Sequence, residues 1–180
     1  MEEIIASAGT TFNIPPHPEG QFAAKCIDIV DLGMVEMTWQ GQTRRKHRIF
    51  LRFFCGQYFE DESGERRPLW IDKYFTLSLH ENSALRPFLE AWRGRKFTEE
   101  ELRGFNVAKL LHADALIQVS HNITPEKTYA NIDSIMRLPK GMEPAPMLEG
   151  YVRVKDRPKD EGPVKAPSPF DDEDDDLPFD

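Results

Sequence analysis

Cysteine is almost missing from this chain: Cys26 and Cys55 are the only two, and neither has a second cysteine at metal-ligand spacing. That argues against a disulfide framework or a Cys-rich zinc site, and both residues read as buried thiols of a reducing compartment. The five histidines, His17, His47, His80, His112 and His121, fall in no HxxxH or HExxH pattern, so no local motif supports a metal centre. A Gly-rich phosphate-cradling loop is also lacking. The acids that fall on strands, Asp28, Asp31 and Asp72, are not spaced to hold a pair of metal ions, which speaks against a nuclease. The expectation is a non-enzymatic chain without a cofactor. No apolar run approaches the ~20 residues of a membrane span, and the opening MEEIIASAGTT has no basic stretch leading into an apolar one. A soluble, cytoplasmic protein with no membrane partner is expected.

The chain has 180 residues, 39% of them hydrophobic, which suits one domain with one packed core. A net charge of −8 looks unfavourable for a polyanion ligand, since such ligands are held by Lys and Arg that displace counterions. The charge is unevenly distributed, however. The last ten residues, DDEDDDLPFD, hold seven of the 31 acids and no base, leaving 24 acids against 23 bases elsewhere.

Eight of the fourteen prolines occur from Pro139 onward, amid mixed charge and little hydrophobic period, a composition that cannot bury a core. The expected division is a folded domain over 1–142, a flexible Pro-rich linker over 143–169 and an acidic, disordered tail over 170–180. Within the domain, QFAAKCIDIVDLGMVEMTW predicts a strand bent at Asp31-Leu32-Gly33, and KHRIFLRFFC and LWIDKYFTLSL predict two more. Leu85, Phe88, Leu89 and Trp92, behind Asn82-Ser83 and before Gly94, predict an amphipathic helix. Thr98 and Glu101 form a capping box for a second helical stretch, running on through Val107, Leu110 and Leu111. ALIQVS and TYANIDSIMRL predict a closing hairpin. Mostly β, with five strands and a helical segment between the third and fourth, is the order of an OB-fold barrel.

The stretch RRKHRIFLRFFC, Arg44 to Cys55, alternates cations with rings. At a period of two, Ile49, Leu51, Phe53 and Cys55 face the core while Arg48, Phe50, Arg52 and Phe54 face away. Arg44, Arg45 and Lys46 add cations just before it. On the next strand Ile71, Phe75, Leu77 and Leu79 face inward and Trp70, Tyr74 and Thr76 outward, with Lys73 on the core parity. On the last, Ala130, Ile132, Ser134, Met136 and Leu138 face inward, leaving Tyr129, Asn131 and Arg137 outside. Two exposed Phe rings gain nothing in water. Rings interleaved with cations on a sheet fit single-stranded nucleic acid, whose bases stack on aromatics while Arg and Lys meet phosphates. The expected surface is Arg44, Arg45, Lys46, Arg48, Phe50, Arg52, Phe54, Trp70, Lys73, Tyr74, Tyr129 and Arg137. The plain alternative is that the helices or a subunit contact cover the rings.

A Phe behind an acidic run can enter an apolar pocket ringed by Lys and Arg, the acids steering the encounter. The same acids can lie over the chain's own cationic groove and compete with phosphate.

Taken together, DDDLPFD at the chain end and the body segments IPPHPEGQFAAKCIDIVDLG, NVAKLLHADALIQVSHN and TYANIDSIMRLPKG resemble the single-stranded DNA-binding proteins of phage and prophage replication. The likeness covers most of residues 12–141 and the last ten. It implies sequence-independent coating of single-stranded DNA in replication and recombination, inside a bacterial host cell, by a monomer or dimer. It also implies an acidic tip, Asp174, Asp175, Asp176, Leu177, Pro178 and Phe179, that recruits replication and recombination proteins. The tip of bacterial members ends on its Phe, whose carboxylate helps bind the partner, whereas Asp180 follows Phe179 here. A phage-encoded partner then becomes the alternative to the host's tail-binding proteins. The competing function is a protein-interaction adaptor that uses its aromatic face as a subunit or partner contact.

Overall fold

A computed structural model describes residues 14–157; the expectations for the acidic tail and for 158–169 fall outside the described residues. Five strands arrive in the expected order: β1 (Gly20–Trp39), β2 (Gln42–Glu60), β3 (Arg66–Thr76), β4 (Asp114–Ile123) and β5 (Thr128–Met136). They form one antiparallel sheet, ordered β3-β2-β1-β4-β5, that is not closed. Its edge strands, β3 and β5, approach each other without a ladder.

The long first strand makes this arrangement possible. β1 pairs with β4 over Gly20–Lys25 and with β2 over Lys25–Trp39, and two register shifts, at Cys26/Asp28 and Asp31/Gly33, bend it between partners. The bend expected at Asp31-Leu32-Gly33 is the second of these, with Gly33 at φ 68° and its amide bound by the Asp31 carboxylate at 2.8 Å. β1 turns into β2 through Gln40 and Gly41, both at positive φ (48° and 77°), the backbone of a two-residue hairpin loop.

Between β3 and β4 lie α1 (Leu85–Arg93), α2 (Glu99–Arg103) and a 3-10 turn, Val107–Leu110. α1 buries Leu85, Leu89 and Trp92, as its spacing predicts. Its start differs from expectation: Ala84 is the cap residue, because the Ser83 hydroxyl is taken by the carbonyls of Ser78 and His80. The Thr98–Glu101 capping box is present, but α2 stops after one turn at Gly104 instead of running on to Leu111. Leu110 reaches the core from the separate 3-10 turn.

The main core lies between α1 and one face of the sheet, with Ile49, Leu51, Phe53, Ile71, Phe75, Ile117 and Ile132 meeting Leu85, Leu89 and Trp92. Phe53 stacks near Trp92 at 5.4 Å and Phe75 near Phe88 at 4.8 Å. The period of two therefore assigned β2 and β3 correctly. It fails in β5, where a register shift opposite Gln118/Val119 reverses the parity after Ile132. Ile135 is buried in place of Ser134 and Met136, and Met136 is 51% exposed.

Residues 143–157, expected to be part of a flexible linker, are instead laid across the other face of the sheet. Ala145 is buried, Pro146 lies against Gly56, and Val154 packs on the cluster of Val30, Phe50 and Tyr74. Composition misled here because the attachment is polar. It depends on one buried carboxylate rather than on apolar residues within the segment.

Candidate nucleic-acid interface

That carboxylate is Asp28, wholly buried. It accepts hydrogen bonds from the amide of Ile29 (2.9 Å), the Tyr151 hydroxyl (2.8 Å), Nε of Arg153 (3.0 Å) and the amide of Val154 (2.9 Å). Burial alone would raise its pKa, but the bonds from Val154, Arg153 and Tyr151 outweigh burial and hold it below the ordinary value. The strap 143–157 is thus fastened by an ionised acid at the sheet's centre. Burial lifts the Tyr151 hydroxyl to about 12, so it stays protonated and can donate.

The strap changes the reading of the Arg/Phe face. Arg48, Phe50, Arg52 and Phe54 share one side of β2, as the alternation requires, yet all four are buried, at 5% exposure or less. This corrects the expectation that they face solvent. Arg52 donates to both Asp72 oxygens, from Nε at 2.8 Å and Nη2 at 2.9 Å, and to the Tyr151 hydroxyl at 3.1 Å. Its guanidinium lies 4.5 Å from the Trp70 ring centre and 5.2 Å from that of Phe50. Burial disfavours its charge, but the bonds and charge of Asp72 more than compensate and raise its pKa. A guanidinium committed in this way reaches a phosphate only by breaking a buried pair, at a cost of about 3–5 kcal/mol. Arg48 bonds Thr76 at 3.1 Å, and Tyr74, also buried, tilts against Phe50 at 5.0 Å. These residues build the second core.

The remaining expected residues divide among several places. Lys73 pairs across from Leu51 and lies half-buried on the core parity, its ammonium 5.7 Å from the Phe75 ring. Tyr129 is on the β4–β5 hairpin beside Lys127, at the opposite end of β1 from the first hairpin. Arg137 lies past the end of β5, against Gly94. Trp70 is half-buried, edge-on to Tyr151.

Arg44, Arg45 and Lys46 sit on a structure that sequence reasoning did not foresee. Apart from the Leu77 amide, which donates to the His47 carbonyl at 2.7 Å at the ribbon's base, residues 34–47 of β1 and β2 pair only with each other, since β4 leaves β1 after Lys25 and β3 meets β2 only from Arg48. They form a two-stranded ribbon reaching beyond the sheet. Val35, Met37 and Trp39 lie opposite Lys46, Arg44 and Gln42, so these six share one face. Arg45 is across from Glu36 on the reverse face, with Met34 and His47. Trp39 is 47% exposed and Arg44 is exposed. The alternation along β2 runs without a shift from Arg44 to Phe54, so the ribbon face continues the strand face that the strap covers. Beyond Phe54, Tyr58 meets it edge-on at 5.7 Å, and Arg66 stacks on Tyr58 at 4.0 Å.

Two side chains missed from the sequence, Trp39 and Tyr58, are therefore the exposed rings along this face. Trp39 could have been found: two residues across a Gln-Gly turn, it has the parity of Arg44. Asp28 could not, because its partners are 123 to 126 residues away. Among the described residues no cluster of His, Cys, Asp and Glu could hold a metal ion, and no helix is long and apolar enough to cross a membrane. No family model matches the sequence, and no curated protein matches it significantly.

Proposed function

We propose that this chain binds single-stranded DNA without sequence preference, on the ribbon face of Trp39, Met37, Arg44 and Lys46 and onward past the strap toward Tyr58 and Arg66. The observation that carries the reading is an exposed ring at the tip of a two-stranded arm, followed along the same face by Arg44 and Lys46, where the arm has no core of its own to cover. Large apolar groups held in water with Arg beside them mark a contact surface, and flat bases between phosphates are the ligand that uses both. Duplex DNA hides its base faces and would leave Trp39 idle. The strand order, with helices between β3 and β4 and edge strands drawn together, is compatible with an OB-fold, whose binding face is that of β2 and β3.

In this reading the strap occupies the middle of that face, and Phe50, Phe54 and Arg52 support the surface from beneath. The acidic residues 174–179 recruit replication and recombination proteins, as the resemblance implies. The subunit-contact alternative loses its main support, because the chain's own strap covers Phe50. Fluorescence tests the proposal. Trp39 is the most exposed ring on the face, so a single-stranded oligonucleotide should quench tryptophan emission, and Trp39→Phe should remove most of the quench. An equal quench in the variant would place the bases elsewhere.

A further inference from the structure

Where the C-terminus of α1 meets the end of β5, the chain leaves an open cavity of about 720 Å³. It lies on the helix side of the sheet, across from the strap. Its wall has two characters: Trp92, Leu110 and Leu138 are apolar, and Arg93, Arg95 and Arg137 are basic. The one acid in the wall, Asp114, is held by Lys25 at 2.6 Å.

Arg93 is the unusual member. Its side chain is only 10% exposed, and Nη2 donates to Glu101 at 2.6 Å. The guanidinium is packed over Phe97 at 4.4 Å and Phe105 at 5.4 Å. Nη1 is buried and has no hydrogen-bond partner among the described residues. With its guanidinium committed to Glu101 and the two rings and Nη1 shut off from the surface, Arg93 lends the cavity a nearby positive charge, while the guanidinium groups open to a ligand are those of the exposed Arg95 and Arg137. Among the described residues, no ion pair joins Arg95 or Arg137 to an acid.

We propose that this cavity receives the chain's own C-terminal segment, Asp174–Asp180, with Leu177 and Phe179 against Trp92, Leu110 and Leu138 and the carboxylates on Arg95 and Arg137. The occupant must be both acidic and apolar, and DDDLPFD sets Leu177 and Phe179 directly between acids, Asp176 before them and Asp180 after. A bare phosphate would leave the apolar half of the wall unused. The seventeen peptide steps from Arg157 to Asp174 span up to about 60 Å, ample for a body whose radius of gyration is about 15 Å. The tail then rests away from the ribbon face, and a partner that recruits it must compete with this cavity. Docking of the tail here does not depend on the ribbon face binding nucleic acid.

The test is photo-cross-linking in the full chain, with Phe179 replaced by a benzoyl-phenylalanine. Cross-links should map by mass spectrometry to peptides containing Trp92–Arg95, Leu110–Asp114 or Arg137–Leu138. They should fall several-fold in Arg95→Glu/Arg137→Glu and less in Arg95→Ala alone. Both positions are exposed, so the fold should survive, and unchanged melting verifies this. Cross-links on residues 34–47 or on the strap, no defined cross-link, or cross-links insensitive to both variants would overturn the proposal.

Discussion

Asp28→Ala removes the acceptor on which the strap depends. Three of the four bonds to its carboxylate come from the strap, and bonds to a charged group contribute about 1.5–3 kcal/mol each. They do not add fully. Arg153, with 26% of its side chain exposed, regains water when its partner is lost, so the main penalties are the Tyr151 hydroxyl and the Val154 amide. The net loss is about 3 kcal/mol, at the lower end for a broken buried pair. For a chain of this size that lowers the melting temperature by roughly 6–12 °C. Thermal unfolding followed by fluorescence gives the total, and hydrogen exchange at residues 151–154 shows where it arises. Tyr151→Phe, losing one hydroxyl bonded to Asp28 and Arg52, should cost about 1 kcal/mol. An Asp28→Ala protein that melts within about 2 °C of the parent, with residues 151–154 still protected, would mean that the strap is held by something other than this carboxylate.

Other expectations follow from the same structure. Phe50→Ala, in the second core, should destabilise by about 3–5 kcal/mol in chemical denaturation; a melting curve like the parent's would mean the ring is not buried. Gly56→Ala places a Cβ 3.3 Å from Pro146 at φ +76°, so it should cost at least about 1 kcal/mol and loosen the strap in hydrogen exchange. Acid should act on the strap: the Asp28 pKa is lowered in the folded chain, so its contribution is full above the unfolded value of about 3.9 and fades as pH falls further, which unfolding between pH 7 and 2 will report. Cys26 and Cys55, pushed by burial to about 12, should react with a thiol reagent at pH 8 far more slowly than free cysteine.

The alternation along β2 and β3 was readable because both strands are long and unshifted between Arg48 and Phe54, so residues two apart stay on one side. What lay over each side was not readable. Two hydrophobic faces on one strand mean either a ligand surface or a second cover, and the sequence alone does not separate these. The cover came from residues 143–157, whose prolines and mixed charges resemble a linker because their hold on the sheet is Asp28 rather than a hydrophobic period. In β5 a single extra residue at the register shift moved Ile135 inward and Met136 outward. The ribbon escaped notice for a different reason: the first strand is legible through to Trp39, but the apolar alternation of the second begins only at Lys46, so Gln42 to Arg45, which pair with Glu36 to Trp39, read as a turn and a run of cations.

Binding of single-stranded DNA on the ribbon face can be measured by a salt titration of affinity for labelled single-stranded and duplex oligonucleotides, with the full chain beside Arg44→Ala/Lys46→Ala. The ribbon should prefer the single strand clearly, the variant should bind more weakly, and its plot of log K against log salt should be shallower by about 1.4 for two lost phosphate contacts. Equal binding of duplex, no binding, or an unchanged slope in the variant would contradict single-strand binding on this face.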